Sequence, residues 1–514
     1  MGRVLRARLS RALVGATLAL PVPLVGGEWP DPSVIFEPGA GHTAVTTSNG
    51  WAPTFRILQS GDLGTWRISG SVFRRPPRWA KTDFWAPEIT KLRNGYAVFY
   101  SALPRRRNGN WYCLGVATAP TANGPYRDKG SPLRCNRYGS IDPFPMRDEN
   151  GVLHLLWKEA GNEFRRPTPI FAQQLSEDGR QLLGRPRELI RNMEAWESNV
   201  LEAPSVIRRN NMFYLFYSAN SCCGRRCAYA IGVARSPTLI GPWEKYSGNP
   251  ILRGGNGWNC PGHASVTPDG GGGFNAFFHA YRSGEGLLAG RQLLAEAVTF
   301  AADGWPRIGA GVPPPPRPGA RSTAFRDSFR GRRPAPEWEW LNERAPRIRT
   351  GSGLRMTAAR STGKRLDGAV LARRVRTARY VASAIVDRRS LRGDATAGIA
   401  SYRSGFAAIG GSGFEALGAA VGRERLQVWR RSRGRTRIVA SMKAPDTRFL
   451  HVRMTSRGRV VSFQVSRNGR TWTALGRRAR TPLEETSRLA LTVGGRVRAG
   501  GRITRARLTE SSVP

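Results

Sequence analysis

The feature that most constrains the fold of this chain is an internal repeat within its first 300 residues. Residues 95–102 (GYAVFYSA) recur as residues 213–219 (FYLFYSA), and each copy is followed by a Gly-Val-Ala segment and a Gly-Pro-aromatic turn. Weaker copies at 42–47, 152–158 and 274–280 bring the number of units to five, spaced by roughly 55 to 62 residues. A period of this length indicates one small sheet for each repeat.

Each unit alternates short β-rich runs with turn residues, which is typical of a four-stranded antiparallel sheet. One such sheet cannot bury both of its faces, whereas five arranged radially bury one another around a central channel. The repeat is too long for one coil of a β-helix and too regular for a sandwich. The sequence therefore predicts an all-β fold, with a five-bladed β-propeller over residues 28–307.

The segment before each apolar run is expected to form the innermost strand of its blade, facing the channel. These five segments carry Asp31, Glu88, Asp142, Glu202 and His263, which we expect to share one phase of the repeat. Clustered carboxylates repel one another and are costly to desolvate, so stability alone does not select them. The sequence therefore predicts a functional site in the channel.

Three of these acids suit glycoside hydrolysis. That reaction needs one carboxylic acid to protonate the leaving oxygen and one carboxylate to act as base or nucleophile. A third carboxylate nearby raises the pKa of the acid and keeps it protonated. Asp31, Asp142 and Glu202 form such a set. Four tryptophans could stack on sugar rings: Trp29, Trp51, Trp85 and Trp258. Core packing explains any one of them equally well.

The same residues resemble glycoside hydrolase family 43, which contains arabinanases, arabinofuranosidases and β-xylosidases on five-bladed propellers. The motifs that carry the resemblance are 31–34 (DPSV), 84–89 (FWAPEI), 140–144 (SIDPF), 202–206 (EAPSV) and 262–263 (GH). The resemblance implies that Asp31 is a general base, Glu202 a general acid, and Asp142 the carboxylate that tunes and orients that acid. It also implies inversion of configuration, with acid and base roughly 6.5–9.5 Å apart.

Four further side chains are candidates for binding substrate: Trp85, Glu88, His263 and Arg282. An ion pair that supports the channel explains Glu88 better than a catalytic role does. His263 is similar to a histidine that lies near a bound cation in some family arabinanases, so a calcium ion there is one expectation and a purely structural histidine the other. Arg282 could reach a sugar hydroxyl or lie on the surface. No cofactor is required for this chemistry.

The second half of the chain has a different composition. Residues 308–323 are rich in proline and are predicted to form a linker. Residues 324–514 alternate in short strands and predict an antiparallel β-sandwich. Residues 325–329 (FRDSF) and 468–472 (NGRTW) resemble the concanavalin-like jelly-roll domains that are appended to family 43 xylosidases. Glycan binding and structural support are both open roles for this domain.

The N-terminus and the cysteines predict export. Arginines precede an apolar run at 12–25, which indicates a signal peptide over residues 1–27 rather than a membrane span. The six cysteines fit three disulfides, Cys113–Cys135 and two within the later group of four, whose members are Cys222, Cys223, Cys227 and Cys260. A zinc site is the weaker alternative, because no histidine lies within that group.

The net charge of +45 is extreme and comes almost entirely from arginine. A basic surface attracts nucleic acid, anionic lipid or acidic polysaccharide, although a compositional bias spread over solvated faces is the better explanation of the charge. No nucleic-acid-binding motif accompanies the charge, which argues against a nucleic-acid partner. Anionic cell-wall polymers are the remaining candidate partner besides the sugar substrate.

Together these features predict a secreted glycosidase that cleaves arabinosyl or xylosyl linkages. One alternative is a non-catalytic glycan-binding propeller, and the presence of all three acids speaks against it. The other is a propeller hydrolase for fructosyl or sialyl bonds. Fructosyl enzymes retain configuration, and sialidases need an arginine triad and a tyrosine nucleophile for which no organised motif is present.

Overall fold

The computed structural model describes residue 20, residues 22–317 except 107 and 110, and residues 324–357, 366–404, 414–480 except 433, 487–495 and 500–510. The predicted signal peptide falls largely outside these residues, at 1–19 and 21. In the described part the regular structure is β-strand, with four short 3-10 helices at Gly161–Phe164, Ala195–Glu197, Asn342–Arg344 and Arg388–Ser390. None of the helices in this part is long and apolar enough to span a membrane.

The first half forms five antiparallel sheets, which are the five blades that the repeat predicts. From the channel outward, blade 1 contains Ser33–Glu37, Gly41–Val45, Thr54–Ser60 and Arg67–Phe73, and blade 2 contains Ala80–Leu92, Gly95–Pro104, Cys113–Ala119 and Arg134–Cys135, with Arg127–Asp128 also paired to the third strand. Blade 3 contains Ser140–Arg147, Leu153–Glu159, Ile170–Leu175 and Leu182–Ile190, and blade 4 contains Leu201–Arg209, Met212–Ala219, Ala230–Ser236 and Glu244–Lys245. Blade 5 contains Trp258–Pro268, Phe274–Arg282, Arg291–Phe300 and Pro306–Ile308. The innermost strand of each blade contacts those of both neighbours, so the ring closes around a channel.

The closure between blades 5 and 1 is supported by the chain just before blade 1. The Leu24 N–H donates to the carbonyl of Leu293 at 2.9 Å, and Val22 forms an isolated bridge with Arg317. Leu24 is buried in a core cluster that also contains Trp29 and Leu293. The last residues of the segment predicted to be a signal peptide, 22–27, therefore pack on the propeller.

Every blade places one residue of left-handed backbone conformation at its channel face. These residues are Asp31, Ala86, Asp142, Ala203 and His263, with φ between 43° and 57°. In blades 2 to 5 the pairing register shifts at this point, which is the signature of a β-bulge and redirects the neighbouring side chains. Glu202 precedes the bulge residue of its blade, and Glu88 follows its own by two positions. The expectation that all five ionisable residues share one phase is therefore wrong for these two.

The second half forms a β-sandwich, and the prediction of an all-β propeller followed by a sandwich is confirmed. One sheet has the strands Phe325–Asp327, Arg347–Arg349, Leu354–Thr357, Gly500–Glu510, Arg379–Asp387, Phe449–Arg457, Val460–Ser466, Thr473–Ala474 and Ala479–Arg480. The other has Ala369–Arg374, Ser487–Gly494, Thr396–Ser404, Phe414–Val421, Arg425–Ser432 and Arg435–Lys443. Buried and exposed residues alternate along Arg379–Asp387 and Phe449–Arg457, so each buries one face in the shared core.

A short two-stranded sheet joins the two halves, because Trp51–Ala52 of blade 1 pairs with Trp340–Leu341. Trp51 is fully buried in a cluster that contains Tyr402 and Trp429 of the sandwich. This tryptophan therefore anchors the propeller on the sandwich and is not available to stack on a sugar.

The proline-rich stretch between the halves follows the propeller over its described part. The Asn256 side-chain amide donates to the carbonyl of Pro313 at 3.1 Å, and Trp258 Nε1 donates to the carbonyl of Pro314 at 2.9 Å. Residues 318–323 of the predicted linker lie outside the described residues.

Candidate active site

Hydrogen bonds from the bulge residues connect each innermost strand to the preceding blade. The backbone N–H groups of Ala86, Asp142 and His263 donate to hydroxyls on or just after the second strand of that blade, which belong to Thr47, Ser101 and Ser218 respectively, at 2.7–3.1 Å. The Asp31 N–H donates to Nδ1 of His279 at 3.1 Å. These bonds fix the direction in which each bulge presents its side chain.

Blade 3 breaks this pattern because Lys158 occupies the position held by serine in blades 2 and 4. An ammonium group cannot accept a hydrogen bond. The Ala203 N–H donates instead to Asp142 Oδ2 at 3.0 Å, and Lys158 Nζ donates to Glu202 Oε2 at 2.7 Å. The Lys158 side chain is 2% exposed. The exception therefore links two of the three predicted catalytic acids through one backbone group.

Sequence reasoning missed Lys158, although a signal for it existed. Residues 157–158 are Trp-Lys at the position where the two strongest copies of the repeat have Tyr-Ser. A lysine on a strand that is otherwise almost completely buried needs a carboxylate partner.

The second oxygen of Glu202 accepts a hydrogen bond from Tyr229. The hydroxyl lies 2.8 Å from Oε1, and the tyrosine is 2% exposed. Burial, followed by the charges of Glu202 and Asp142, raises the pKa of Tyr229 well above its ordinary value, so the hydroxyl remains a donor. Gly262 allows this approach, since a Cβ at that position would lie 1.9 Å from the Tyr229 ring.

Asp31 lies in a strongly positive environment. Its Oδ1 is 3.1 Å from Arg291 Nη1 and 3.6 Å from His263 Nδ1. Burial works to raise the pKa of Asp31, but the Arg291 guanidinium, followed by His263, outweighs it and lowers the pKa to about 2. Burial also lowers the pKa of His279 well below its ordinary value, which leaves a neutral ring whose Nδ1 accepts the Asp31 N–H. Asp31 is therefore ionised at any ordinary working pH.

The pKa of Asp142 is shifted in the opposite direction, upward. Burial raises its pKa to about 7; the charges of Glu202 and Asp31 add to this shift, and His263 and Lys158 oppose it. Asp31 and Asp142 occupy the same position in their repeats, but their pKa values differ widely, because Asp31 faces a guanidinium and Asp142 faces a second carboxylate.

Glu88 is the fourth acid of the channel. Burial raises its pKa to about 8, against the effect of a hydrogen bond with the Ser33 hydroxyl. In the part of the chain that the structure describes, Glu88 forms no ion pair, so the predicted ion pair is absent there. The group is therefore protonated at neutral pH.

Trp85 is the one predicted stacking tryptophan that lies beside the site and is partly exposed. It precedes the bulge residue Ala86, as Glu202 precedes Ala203, and it stacks on Tyr112 with ring centroids 4.3 Å apart. Its Nε1 donates to Asn49 Oδ1 at 2.8 Å. Trp29 and Trp258 are buried at 6% and 1% exposure and belong to cores.

The two remaining predicted binding residues, Arg282 and His263, lie in different places. Arg282 lines a cavity that also contains Tyr229, and it has no hydrogen bond or ion pair with the three acids among the described residues. His263 faces Asp31, whose carboxylate is already matched by the Arg291 cation. No group of three or more His, Cys, Asp or Glu side chains in the described ranges could hold a metal ion. The expectation of calcium near His263 therefore has no support.

All six cysteines are paired, which confirms the prediction of three disulfides. The pairs are Cys113–Cys135, Cys222–Cys223 and Cys227–Cys260. The last of these ties the loop after strand Met212–Ala219 to the innermost strand of blade 5. That loop reaches the site, since Cys223 Sγ lies 3.9 Å from Arg291 Nη1.

Comparisons with known proteins agree with this geometry. Residues 20–306 match the family described as Glycosyl hydrolases family 43, and residues 326–488 match the Beta xylosidase C-terminal Concanavalin A-like domain. Similar characterised proteins include a xylan 1,3-β-xylosidase from Vibrio sp., 25% identical over 58% of this chain, and an extracellular endo-α-(1→5)-L-arabinanase from Bacillus subtilis, 26% identical over 54% of it. The alignments cover 59% of the xylosidase and 86% of the arabinanase.

Solved structures of the same architecture include the family 43 protein BlXynB from Bacillus licheniformis, with a TM-score of 0.78 at 19% identity, and a xylan β-1,4-xylosidase from Bacillus halodurans, with a TM-score of 0.77 at 18% identity. Each covers 96% of this chain and 100% of the compared chain, so both halves share the fold. With a family match over more than half of its length and the five motif segments around one channel, the chain belongs to glycosyl hydrolase family 43.

Proposed function

We propose that this protein hydrolyses arabinosyl or xylosyl linkages with inversion of anomeric configuration. The observation that carries the proposal is the unequal electrostatic setting of the carboxyl groups at one end of the channel. Asp31 has a pKa of about 2, whereas Asp142, beside Glu202, has a pKa of about 7. Neighbouring carboxyl groups with separated pKa values are the arrangement that acid–base hydrolysis requires.

Asp31 is the proposed general base. Its permanent charge attracts and orients a water molecule, and Arg291 with His263 holds the carboxylate in place. In the reaction, this water loses a proton to Asp31 while its oxygen bonds to the anomeric carbon, and the glycosidic bond breaks on the opposite face.

Glu202 is the proposed general acid, which gives its proton to the leaving oxygen. Asp142 positions it, because the Asp142 carboxylate accepts the N–H of Ala203, the next residue along the chain. Lys158 and Tyr229 each donate to one oxygen of Glu202 and thereby fix its side-chain torsions. The protonated form can keep the Tyr229 bond to its carbonyl oxygen while the other oxygen turns its proton to the substrate.

The nature of the sugar is proposed from the relatives, which include enzymes named as xylosidases and arabinanases. Trp85 would provide an apolar face for the ring, and His263 would contact a hydroxyl beside Asp31. Export is proposed for the same reason, since three relatives are named extracellular, and disulfides persist mainly in oxidising compartments.

Hydrolysis of an aryl arabinofuranoside, an aryl xyloside and linear arabinan by the wild type and by Glu202→Ala tests the proposal. We expect at least one substrate to be cleaved, and the variant to lose more activity as the leaving group becomes poorer, because a poor leaving group depends most on protonation. Equal rates for the two proteins on all three substrates would remove the assignment. Proton NMR of the first-formed product checks the stereochemistry, and a retained anomer would contradict the roles of Asp31 and Glu202.

A further inference from the structure

A second cavity lies beside the catalytic channel, between blades 4 and 5 and the sandwich. It has a volume of about 1100 Å³, which exceeds the size of a single sugar site. Tyr229 forms part of its wall, and the same tyrosine donates to Glu202. The cavity is therefore separated from the proposed general acid by one side chain.

The wall of this cavity is strongly basic. Six arginines line it, three from the propeller and three from the sandwich: Arg225, Arg253, Arg282, Arg379, Arg457 and Arg459. The single acidic residue in the lining, Glu285, is 6% exposed and accepts hydrogen bonds from the Ala378 N–H and the Thr377 hydroxyl. Its charge is thus engaged by the sandwich backbone rather than directed into the cavity.

Two of these arginines are placed against each other. Arg379 and Arg457 are direct partners across the antiparallel strands Arg379–Asp387 and Phe449–Arg457, so their side chains leave the sheet on the same face. Like charges directly opposite one another destabilise a sheet. In the described part of the chain neither forms an ion pair with an acid. An anionic ligand between the two guanidinium groups would relieve their repulsion and would be attracted by both.

We infer that the cavity between the domains binds an anionic substituent of the polysaccharide, a uronic acid carboxylate or a sulfate ester, while the neutral sugar to be cleaved occupies the channel. The inference rests on the proposed function, since the anionic group belongs to the chain that is cut. Arginine is suited to both anions because its fork of N–H groups forms paired, charge-assisted hydrogen bonds with planar oxyanions. The sandwich would then contribute directly to substrate choice.

Calorimetric binding of defined oligosaccharides tests this inference, and for calorimetry each protein also carries Glu202→Ala so that the probes are not cleaved. The probes are xylotetraose bearing one glucuronic acid branch, the same compound after reduction of its carboxylate to an alcohol, and xylotetraose bearing one sulfate ester, with the corresponding arabino-oligosaccharides as a second series. The proteins are the wild type, Arg379→Gln/Arg457→Gln, and the control Arg435→Gln/Arg437→Gln, which removes the same charge from exposed positions outside the cavity. Cleavage of aryl glycosides, which carry no anionic group, is measured in parallel on the proteins with Glu202 intact and reports on the proposed function separately.

We expect the wild type to bind an anionic oligosaccharide at least about tenfold more tightly than its neutral counterpart, with an affinity that falls as salt is added. The Arg379/Arg457 variant should lose this preference, while the control pair and the cleavage of aryl glycosides should be unaffected. Preference for the carboxylate or for the sulfate identifies the source of the anion. Equal affinity for charged and neutral probes, or an equal loss in the control pair, would overturn the inference whatever the aryl glycosides show.

Discussion

Asp31 in the channel and Glu339 at the junction of the two halves are both buried carboxylates with a pKa of about 2. Burial raises the pKa of Glu339, but Arg374, Arg488 and Arg56 outweigh it. The Nε atoms of Arg374 and Arg488 lie 2.9 and 2.8 Å from its two oxygens. A strongly shifted pKa therefore does not by itself distinguish a catalytic group from a structural one.

The surroundings of the two carboxylates do distinguish them. The Glu339 side chain is 3% exposed, and its charge is compensated by arginines from blade 1 and from the sandwich in a sealed contact. The Asp31 side chain is 12% exposed and opens on a channel that also contains Asp142 and Glu88, whose charged forms are poorly compensated. Poorly compensated carboxyl groups beside an opening indicate chemistry, whereas a carboxylate sealed among guanidinium groups indicates structure.

Asp31→Ala should give the largest effect. Removal of the base leaves water unactivated, and we expect kcat to fall by about 10³-fold or more, which corresponds to about 4 kcal/mol of activation free energy. Steady-state kinetics on the best aryl glycoside measures the loss, with Glu177→Gln as the control, because that glutamate is exposed and pairs with Arg147 at the opposite end of its strand from Asp142. A loss of less than tenfold would place Asp31 with Glu339 as a structural group.

Glu339→Ala should act on stability instead. The substitution leaves three buried guanidinium groups without their counter-ion, and removing one partner of such a cluster costs about 3–5 kcal/mol. Denaturant unfolding should show this loss, while kcat of the folded fraction stays within about twofold of the wild type. A large change in kcat with unchanged stability would reverse the comparison.

Glu88→Gln should change the pH dependence of stability. The pKa of Glu88 is raised from 4.5 to about 8 in the folded protein, so the folded state binds a proton that the unfolded state has released. This contribution is complete below pH 4.5 and is lost as the pH rises through about 8. Between pH 5 and 8 the free energy of unfolding should fall less steeply for the variant than for the wild type, by up to about 1.4 kcal/mol per pH unit. Parallel curves for variant and wild type would show that Glu88 is solvated.

The double substitution Cys222→Ser/Cys223→Ser should have the smallest effect. The Arg291 guanidinium lies between Asp31 and Cys223, so a loosened loop should weaken its hold on Asp31 and raise the pKa of that carboxyl from about 2 toward its ordinary value. We expect less than a tenfold loss in kcat/KM at neutral pH and a shift of the acidic limb of the pH profile to higher pH. Cys113→Ser/Cys135→Ser, which removes the disulfide of blade 2, should leave that limb in place.

The sequence by itself determined the number of blades, the acids at their channel faces and the residues of the three disulfides. These features are local or periodic: one blade is a contiguous segment, and its innermost strand precedes the same apolar run in each copy. The family motifs could be identified for the same reason, because each lies within six consecutive residues.

The tertiary structure alone decided how these groups act together. Lys158 and Arg291 reach the acids from neighbouring blades, and Tyr229 reaches Glu202 from a distant segment of the same blade; these contacts are separated by 44, 260 and 27 residues respectively. The bulges rotate the chain locally, so that Glu202 is presented one position earlier than Asp31 and Asp142, which a count of residues along the repeat cannot reveal. Whether Trp51 is buried or free to stack on a sugar depended on where the sandwich packs, because burial is a property of the packed surfaces and not of the residue type.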